Sequence, residues 1–113
     1  MIKFFKAKDA KIREVANSYK IYNYLTKDDT EQMSVVVGKA VNLHEKTKNT
    51  DSDRAYYVLD GEILIDGQLG YKGDVIFIPR NTEYDLKGTF EVVIINSPAF
   101  DPNYDTTEVL AGE

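Results

Sequence analysis

The sequence predicts an all-β barrel with little helix, and three observations carry that expectation. Apolar runs rich in β-branched and aromatic residues recur along the chain, each run is short, and each is closed by a glycine or proline turn signal. The pattern is densest between Arg54 and Gly88, where Ala55 to Leu59, Glu62 to Ile65 and Val75 to Ile78 are separated by Asp60-Gly61, Asp66-Gly67 and Lys72-Gly73. At 113 residues the chain fits one domain, large enough to bury a core without disulfides or a metal.

Residues 1–30 read as an N-terminal extension with strands, 31–102 as the core barrel and 103–113 as a polar tail. Asp9 is placed to cap a short helix over residues 9–18, with Ile12, Val15 and Ala16 on one face. From Tyr19 the pattern turns to strand: Tyr19, Ile21, Asn23 and Leu25 alternate with Lys20, Tyr22 and Tyr24, and residues 27–30 make a polar turn. Gln32 to Val41 is the next strand. Between Asn42 and Asp53 only Leu43 is apolar, so most of this segment reads as too hydrophilic for a core strand and is expected to include a rim loop. Asp-Gly turns then predict an antiparallel meander through the three runs named above, because glycine takes positive φ without steric cost. Glu83 to Leu86 and Phe90 to Ile95 supply the last strands around Lys87-Gly88-Thr89, and Pro98 and Pro102 end regular pairing.

Composition narrows the function classes. Basic and acidic residues number 14 and 19, for a net charge of -5, and they are scattered, so no basic stripe exists to neutralise a phosphate backbone and no nucleic-acid partner is expected. No apolar run approaches the roughly 18 to 20 residues that cross a bilayer, so no membrane association is expected. Cysteine is absent, and the opening residues lack the apolar core of a signal peptide, which predicts a cytoplasmic protein. There is no Ser/His/Asp arrangement, cysteine nucleophile or phosphate-cradling glycine loop.

Two motifs resemble those of the cupin superfamily over about two thirds of the chain, Gln32 to roughly Pro102. The second family motif is a glycine, five residues, Pro-x-Gly, two residues, a histidine, three residues and an asparagine. Gly73, Pro79-Arg80-Asn81, Tyr84 and Gly88 keep that spacing, with Asn81 suited to the left-handed turn and Tyr84 at the position of the metal-binding histidine. In the first motif, counting back from Gly61 puts Arg54 at the glutamate position. Gly38, five residues, His44, Glu45 and Lys46 match its opening half, with extra residues in the loop that follows; a strict count from Arg54 would instead select Lys48 and Thr50, or Thr47 and Asn49. The resemblance implies a jelly-roll barrel of about eight to eleven antiparallel strands. It also implies homodimers, and the tyrosine-rich strand over Tyr19, Tyr22 and Tyr24 is suited to the core or to a dimer interface.

Oxidative cupin chemistry needs imidazole and carboxylate ligands, and this chain has one histidine, with an arginine at the carboxylate position. The expectation is a protein without metal or other cofactor. Strand alternation sends Arg54 and Tyr56 to one face, and the resemblance turns that face inward, together with Tyr84, with His44 and Lys46 assisting from the next strand. These five are the candidate ligand-binding residues, suited to a small polar or anionic molecule such as an organic acid or sugar derivative. In the alternative, Arg54 pairs internally with Asp85 or Glu83 and the tyrosines are core aromatics. Two other functions remain open: a sugar or sugar-nucleotide isomerase or epimerase with His44 as base and Tyr84 as acid, and a protein-interaction module with a filled barrel.

Overall fold

A computed structural model describes residues 1–16 and 18–110, the side chain of Ala16 excepted. Eight strands form one sheet: β1 (Lys11–Ala16), β2 (Tyr19–Leu25), β3 (Ser34–Asn49), β4 (Asp53–Ile65), β5 (Gln68–Tyr71), β6 (Val75–Ile78), β7 (Glu83–Ser97) and β8 (Asp105–Val109). Among the described residues helix is limited to single 3-10 turns at Ala7–Asp9 and Pro102–Tyr104, and no helix is long and apolar enough to cross a membrane. The all-β expectation holds, at the lower end of the strand count. All pairing is antiparallel, but the order β1-β2-β3-β7-β4-β5 places β7 between β3 and β4, so the chain is a jelly roll and not the simple meander expected from its turns.

Three long strands make the barrel by bending. β3, β7 and β4 are each interrupted at one place: a bulge between Ala40 and Leu43 where Asn42 has φ 49°, Gly88 with φ 135°, and a bulge between Val58 and Asp60 followed by Gly61 with φ 78°. These lie side by side, since Leu43 pairs with Gly88, Gly88 with Ile63, and Gly61 with Phe90. The line of bends is a corner that folds the sheet into two halves. One half holds β1, β2, β6 and the strand segments 34–40, 53–58 and 90–97; the other holds β5, β8 and segments 43–49, 61–65 and 83–88. Asp60-Gly61 and Lys87-Gly88-Thr89 are therefore corner positions within continuous strands and not the hairpin turns expected from the sequence. Glycine is required there by close backbone approach: a Cβ on Gly61 would lie 2.3 Å from the Thr89 carbonyl oxygen, and one on Gly88 would lie 2.4 Å from that of Glu62. Asp66-Gly67, by contrast, is the two-residue hairpin expected, with φ positive at both residues and Ile65 paired to Gln68. Asn81, at the family glycine position, has φ 65°.

Three further expectations are corrected. Residues 11–16 are strand and not helix, because so short a helix gains little alone while β1 pairs fully along β2; Asn17 lies outside the described residues. The segment after Asn42 is not too hydrophilic for a core strand: residues 43–49 are the polar half of β3, with 45–48 paired on both sides, and the expected rim loop is confined to residues 50–52. The expected tail supplies β8 on β3, with residues 111–113 outside the described part. The apolar core fills the space between the halves around Tyr56, Val58, Ile63, Leu86 and Val92, all at most 1% exposed. Tyr19 and Phe90 meet edge to face with ring centroids 6.2 Å apart.

The corner predicts that Gly61→Ala loses about 1–3 kcal/mol or more through strain and displacement of β7. Gly67→Ala meets no neighbour within 4 Å and bears only its φ penalty. Urea unfolding checks the order: Gly61→Ala is expected to have the lower midpoint.

Candidate functional site

The barrel holds a cavity of about 170 Å³ whose polar lining comes from six strands and includes Arg13, Tyr19, Glu45, Arg54, Tyr56, Asn96 and Asp105. The polarity of segment 42–49 has its explanation here. Leu43, Glu45, Thr47 and Asn49 are the buried members of this segment, so a strand can be almost wholly hydrophilic when the interior it faces is a polar cavity.

Arg54 is held on every side. Its Nε donates to Asn96 Oδ1 at 3.0 Å, Nη1 to Tyr84 Oη at 3.0 Å and Nη2 to Asp105 Oδ1 at 3.2 Å. Asp105 is itself positioned by Asn49 Nδ2 at 3.3 Å and by Thr107 Oγ1 at 2.7 Å. Burial works against the guanidinium charge, but the tyrosine oxygens and the Asp105 carboxylate overcome it and hold the pKa above the usual arginine range. Arg54 is thus an internally paired cation at the edge of the cavity. Its partner is Asp105, from the segment expected to be a tail, and not Asp85 or Glu83.

Tyr84 and Tyr56 continue the network, their hydroxyl oxygens 2.6 Å apart. Arg54 only donates, so Tyr84 Oη accepts from it. Tyr84 does not line the cavity and Tyr56 does, so both phenolic protons find acceptors only if Tyr84 donates to Tyr56 and Tyr56 donates into the cavity. Burial raises the pKa of both phenols, which keeps them protonated donors at neutral pH.

Glu45 supplies the opposite character. It is 5% exposed, lines the cavity, and has no hydrogen-bond partner among the described residues. Burial pushes its carboxyl up to about 7, with Arg54 opposing and Asp105 adding to the rise. Asn96 Nδ2 is a fully buried side-chain nitrogen without a hydrogen-bond partner among the described residues. The cavity therefore presents a phenolic donor, the Arg13 guanidinium and a carboxyl group that changes state near neutrality.

Of the five expected site residues, the structure brings Arg54, Tyr56 and Tyr84 together. His44 and Lys46 lie on the opposite face of β3, where His44 Nε2 is 2.7 Å from Asp85 Oδ1 and Lys46 is exposed. The reason is the bulge at Asn42. Before it Ser34, Gly38 and Ala40 point inward; after it the inward positions are Leu43, Glu45, Thr47 and Asn49, so one inserted residue exchanges the two faces. Glu45 takes the place that strict alternation from Gly38 would give His44. Sequence reasoning missed Glu45, Asn96 and Asp105; the usable signal was Asn42, a residue type that tolerates positive φ, ahead of an alternating polar run. No group of three histidine, cysteine or acidic residues among the described residues is placed to hold a metal ion, and the guanidinium of Arg54 at a family ligand position does not fit one.

Two outcomes follow. Asp105→Asn is expected to destabilise by about 3–5 kcal/mol in chemical denaturation, since it leaves Arg54 buried without its counter-charge, whereas Arg80→Ala, which breaks the exposed pair with Asp53, is expected to leave the unfolding midpoint unchanged. Glu45 gives a pH signature. Its folded pKa of about 7 lies above the ordinary 4.5, so the folded state binds more protons between those values and stability falls as pH rises through that window. Glu45→Gln is expected to remove that fall, at most about 1.4 kcal/mol per pH unit; identical pH profiles for variant and wild type would contradict the assignment.

The fold matches solved structures at low sequence identity. Pac13, a nucleoside dehydratase from Streptomyces, aligns with a TM-score of 0.81 at 17% identity, over 99% of this chain and 95% of that one. KdgF from Halomonas sp. aligns with a TM-score of 0.76 at 17% identity, over 91% and 99% of the two chains. An RmlC-like cupin from Shewanella frigidimarina gives 0.76 at 16% identity, over 91% and 96%. No protein-family model and no curated protein sequence matches the chain. The agreement runs through the whole barrel: the chain is a cupin-fold protein.

Proposed function

We propose that the cavity binds a small, uncharged, hydroxyl-bearing molecule, with Glu45 accepting from a ligand hydroxyl and Tyr56 donating to a ligand oxygen. The observation that carries this reading is the Glu45 carboxyl: it belongs to a residue 5% exposed, opens onto the cavity and has no hydrogen-bond partner among the described residues, so its oxygens are free to accept from a ligand hydroxyl there. A filled barrel would have no use for it. Of the small polar or anionic molecule expected, the uncharged branch is favoured by charge, since Arg13 and Arg54 are balanced by Asp105 and by Glu45 once it ionises, which leaves no net positive charge to hold an anion. The Streptomyces neighbour has been solved with uridine, a hydroxyl-rich uncharged molecule, which supports the same ligand class.

Acid/base catalysis is the second reading, and one observation favours it. A carboxyl near pH 7 beside a phenolic donor suits proton transfer at neutral pH. In that reading Glu45 replaces His44 as base, because His44 faces away, and Tyr56 replaces Tyr84 as the group that meets substrate.

A thermal-stability screen against nucleosides, sugars and organic acids separates these classes. Ligand at about 100 times its dissociation constant adds roughly 2.7 kcal/mol. Uncharged hydroxylated compounds, uridine among them, are expected to shift the midpoint upward, and Glu45→Ala and Tyr56→Phe to weaken that binding about tenfold or more by titration calorimetry. A response confined to anions, or one unchanged in both variants, would refute the proposed contacts.

A further inference from the structure

Each half of the barrel ends in strands that have a neighbour on one side only: β1 and β6 in the half that holds segment 90–97 of β7, β5 and β8 in the other. An open edge attracts other strands unless charge or internal bonding blunts it. All but one of these edges are blunted. β1 carries Lys11, Arg13 and Glu14, and β8 reads Asp-Thr-Thr-Glu-Val. On β5 the Tyr71 N–H donates to Asp74 Oδ2 at 2.8 Å, and the Tyr71 carbonyl accepts from the Asp74 N–H at 2.9 Å. β6 is Val75-Ile76-Phe77-Ile78, with no charge, proline or glycine, and its Val75 and Phe77 are 66% and 61% exposed.

The backbone of β6 is in phase to pair. Gly73 N–H donates to the Val58 carbonyl at 2.8 Å and Val58 N–H to the Asp74 carbonyl at 3.0 Å, which makes Val58 a bonded position of the ladder. Alternation then bonds Ile76 to Tyr56 and Ile78 to Arg54, while Val75 and Phe77, opposite Tyr57 and Ala55, aim N–H and C=O away from β4. These groups have no hydrogen-bond partner among the described residues. They border a cleft of about 520 Å³ between β6 and β5, strands that both pair with β4 and, among the described residues, not with each other. Its floor is Ile76 against Gly70, where a Cβ on Gly70 would lie 2.8 Å from Ile76 Cδ1. Ile65, Leu69 and Ile78 give it apolar walls, and its charged lining residues are Asp66 and Asp74. The cleft shares no lining residue with the cavity around Glu45.

We infer that β6 takes up an extended segment of another protein as an added strand, apolar along its length and carrying lysine or arginine at its ends. The free N–H and C=O groups of Val75 and Phe77 are spaced for a backbone in the β conformation, which gives the affinity. A residue of the added strand beside Ile76 faces into the cleft and onto its apolar walls; residues beside Val75 and Phe77 cover those exposed side chains. Asp66 and Asp74 select the basic ends. The β6 strand of a second copy, being uncharged, has no base to offer them.

The probe is a capped peptide of alternating valine and threonine with a lysine at each end. In hydrogen exchange followed by NMR, the Val75 and Phe77 amides are expected to exchange freely in the protein alone and to slow about tenfold or more with saturating peptide. Fluorescence anisotropy with labelled peptide is expected to show binding weakened about tenfold or more in Val75→Pro, which spares the ladder because that N–H faces away from β4. The same loss is expected in Phe77→Lys, which keeps every backbone group and repels the lysines, and for wild type with a peptide that ends in glutamates. Circular dichroism verifies that each variant is folded; should Val75→Pro unfold the chain, Phe77→Lys and the glutamate-ended peptide make the same test. Amides of Val75 and Phe77 that stay unprotected with the peptide, binding indifferent to the variants or to the end charge, or amides already protected by self-association of the protein alone would overturn the inference.

Discussion

The buried charge of Arg54 is the constraint around which the cavity is organised. Arg54 is 8% exposed and its charge must be matched, which it is from two strands: Asn96 and Tyr84 on β7 and Asp105 on β8. Asp105 is what makes the C-terminal segment part of the barrel, because β8 shows little apolar character and has exposed residues at four of its five positions. Its docking rests on the ladder with β3, on the Thr47–Thr107 hydroxyl pair at 2.8 Å and on this ion pair. The same network sets the chemistry of the cavity. With its charge balanced by Asp105, Arg54 orders the tyrosine pair and leaves the single unmatched carboxyl of Glu45 to face whatever enters.

The corner in β3, β7 and β4 is the second organising feature. Each bend uses a different device, Asn42 in a bulge, Gly88 at an extended positive φ, and Gly61 after a bulge, and together they let three strands serve both halves. Continuous strands of this kind carry their side-chain parity from one half to the other unless a residue is inserted. β7 keeps its parity through Gly88, so Tyr84, Leu86, Phe90, Val92 and Asn96 all face inward. β3 does not keep it, and the switch decides that a glutamate rather than a histidine lines the cavity.

The two faces of the barrel wall thus serve different ends. Inward Glu45, Thr47 and Asn49 are polar, and two of them line the cavity, while outward Ile12, Val75 and Phe77 on the opposite half are apolar and exposed. Hydrophobicity along the chain is therefore an incomplete guide to burial here. It marked most of the segment between Asn42 and Asp53 as too hydrophilic for a core strand and residues 103–113 as a tail, yet 43–49 belong to β3 and 105–109 to β8, while Val75 and Phe77 in a strongly apolar run remain exposed.

Strand propensity, short punctuated runs and motif spacing by themselves determined the fold class, the hairpin at Asp66-Gly67, the left-handed Asn81 and the inward placement of Arg54, Tyr56 and Tyr84. Those features are local, or follow from strict alternation within one uninterrupted segment, and local rules suffice for them. The tertiary structure alone decided that Asp60-Gly61 and Gly88 are corners and not turns, that Asp105 neutralises Arg54 from 51 residues away, and that Glu45 rather than His44 faces the cavity. Each depends on where a bulge falls or on a partner distant in sequence, and a one-residue insertion, invisible to composition, reverses which side of a strand meets the interior.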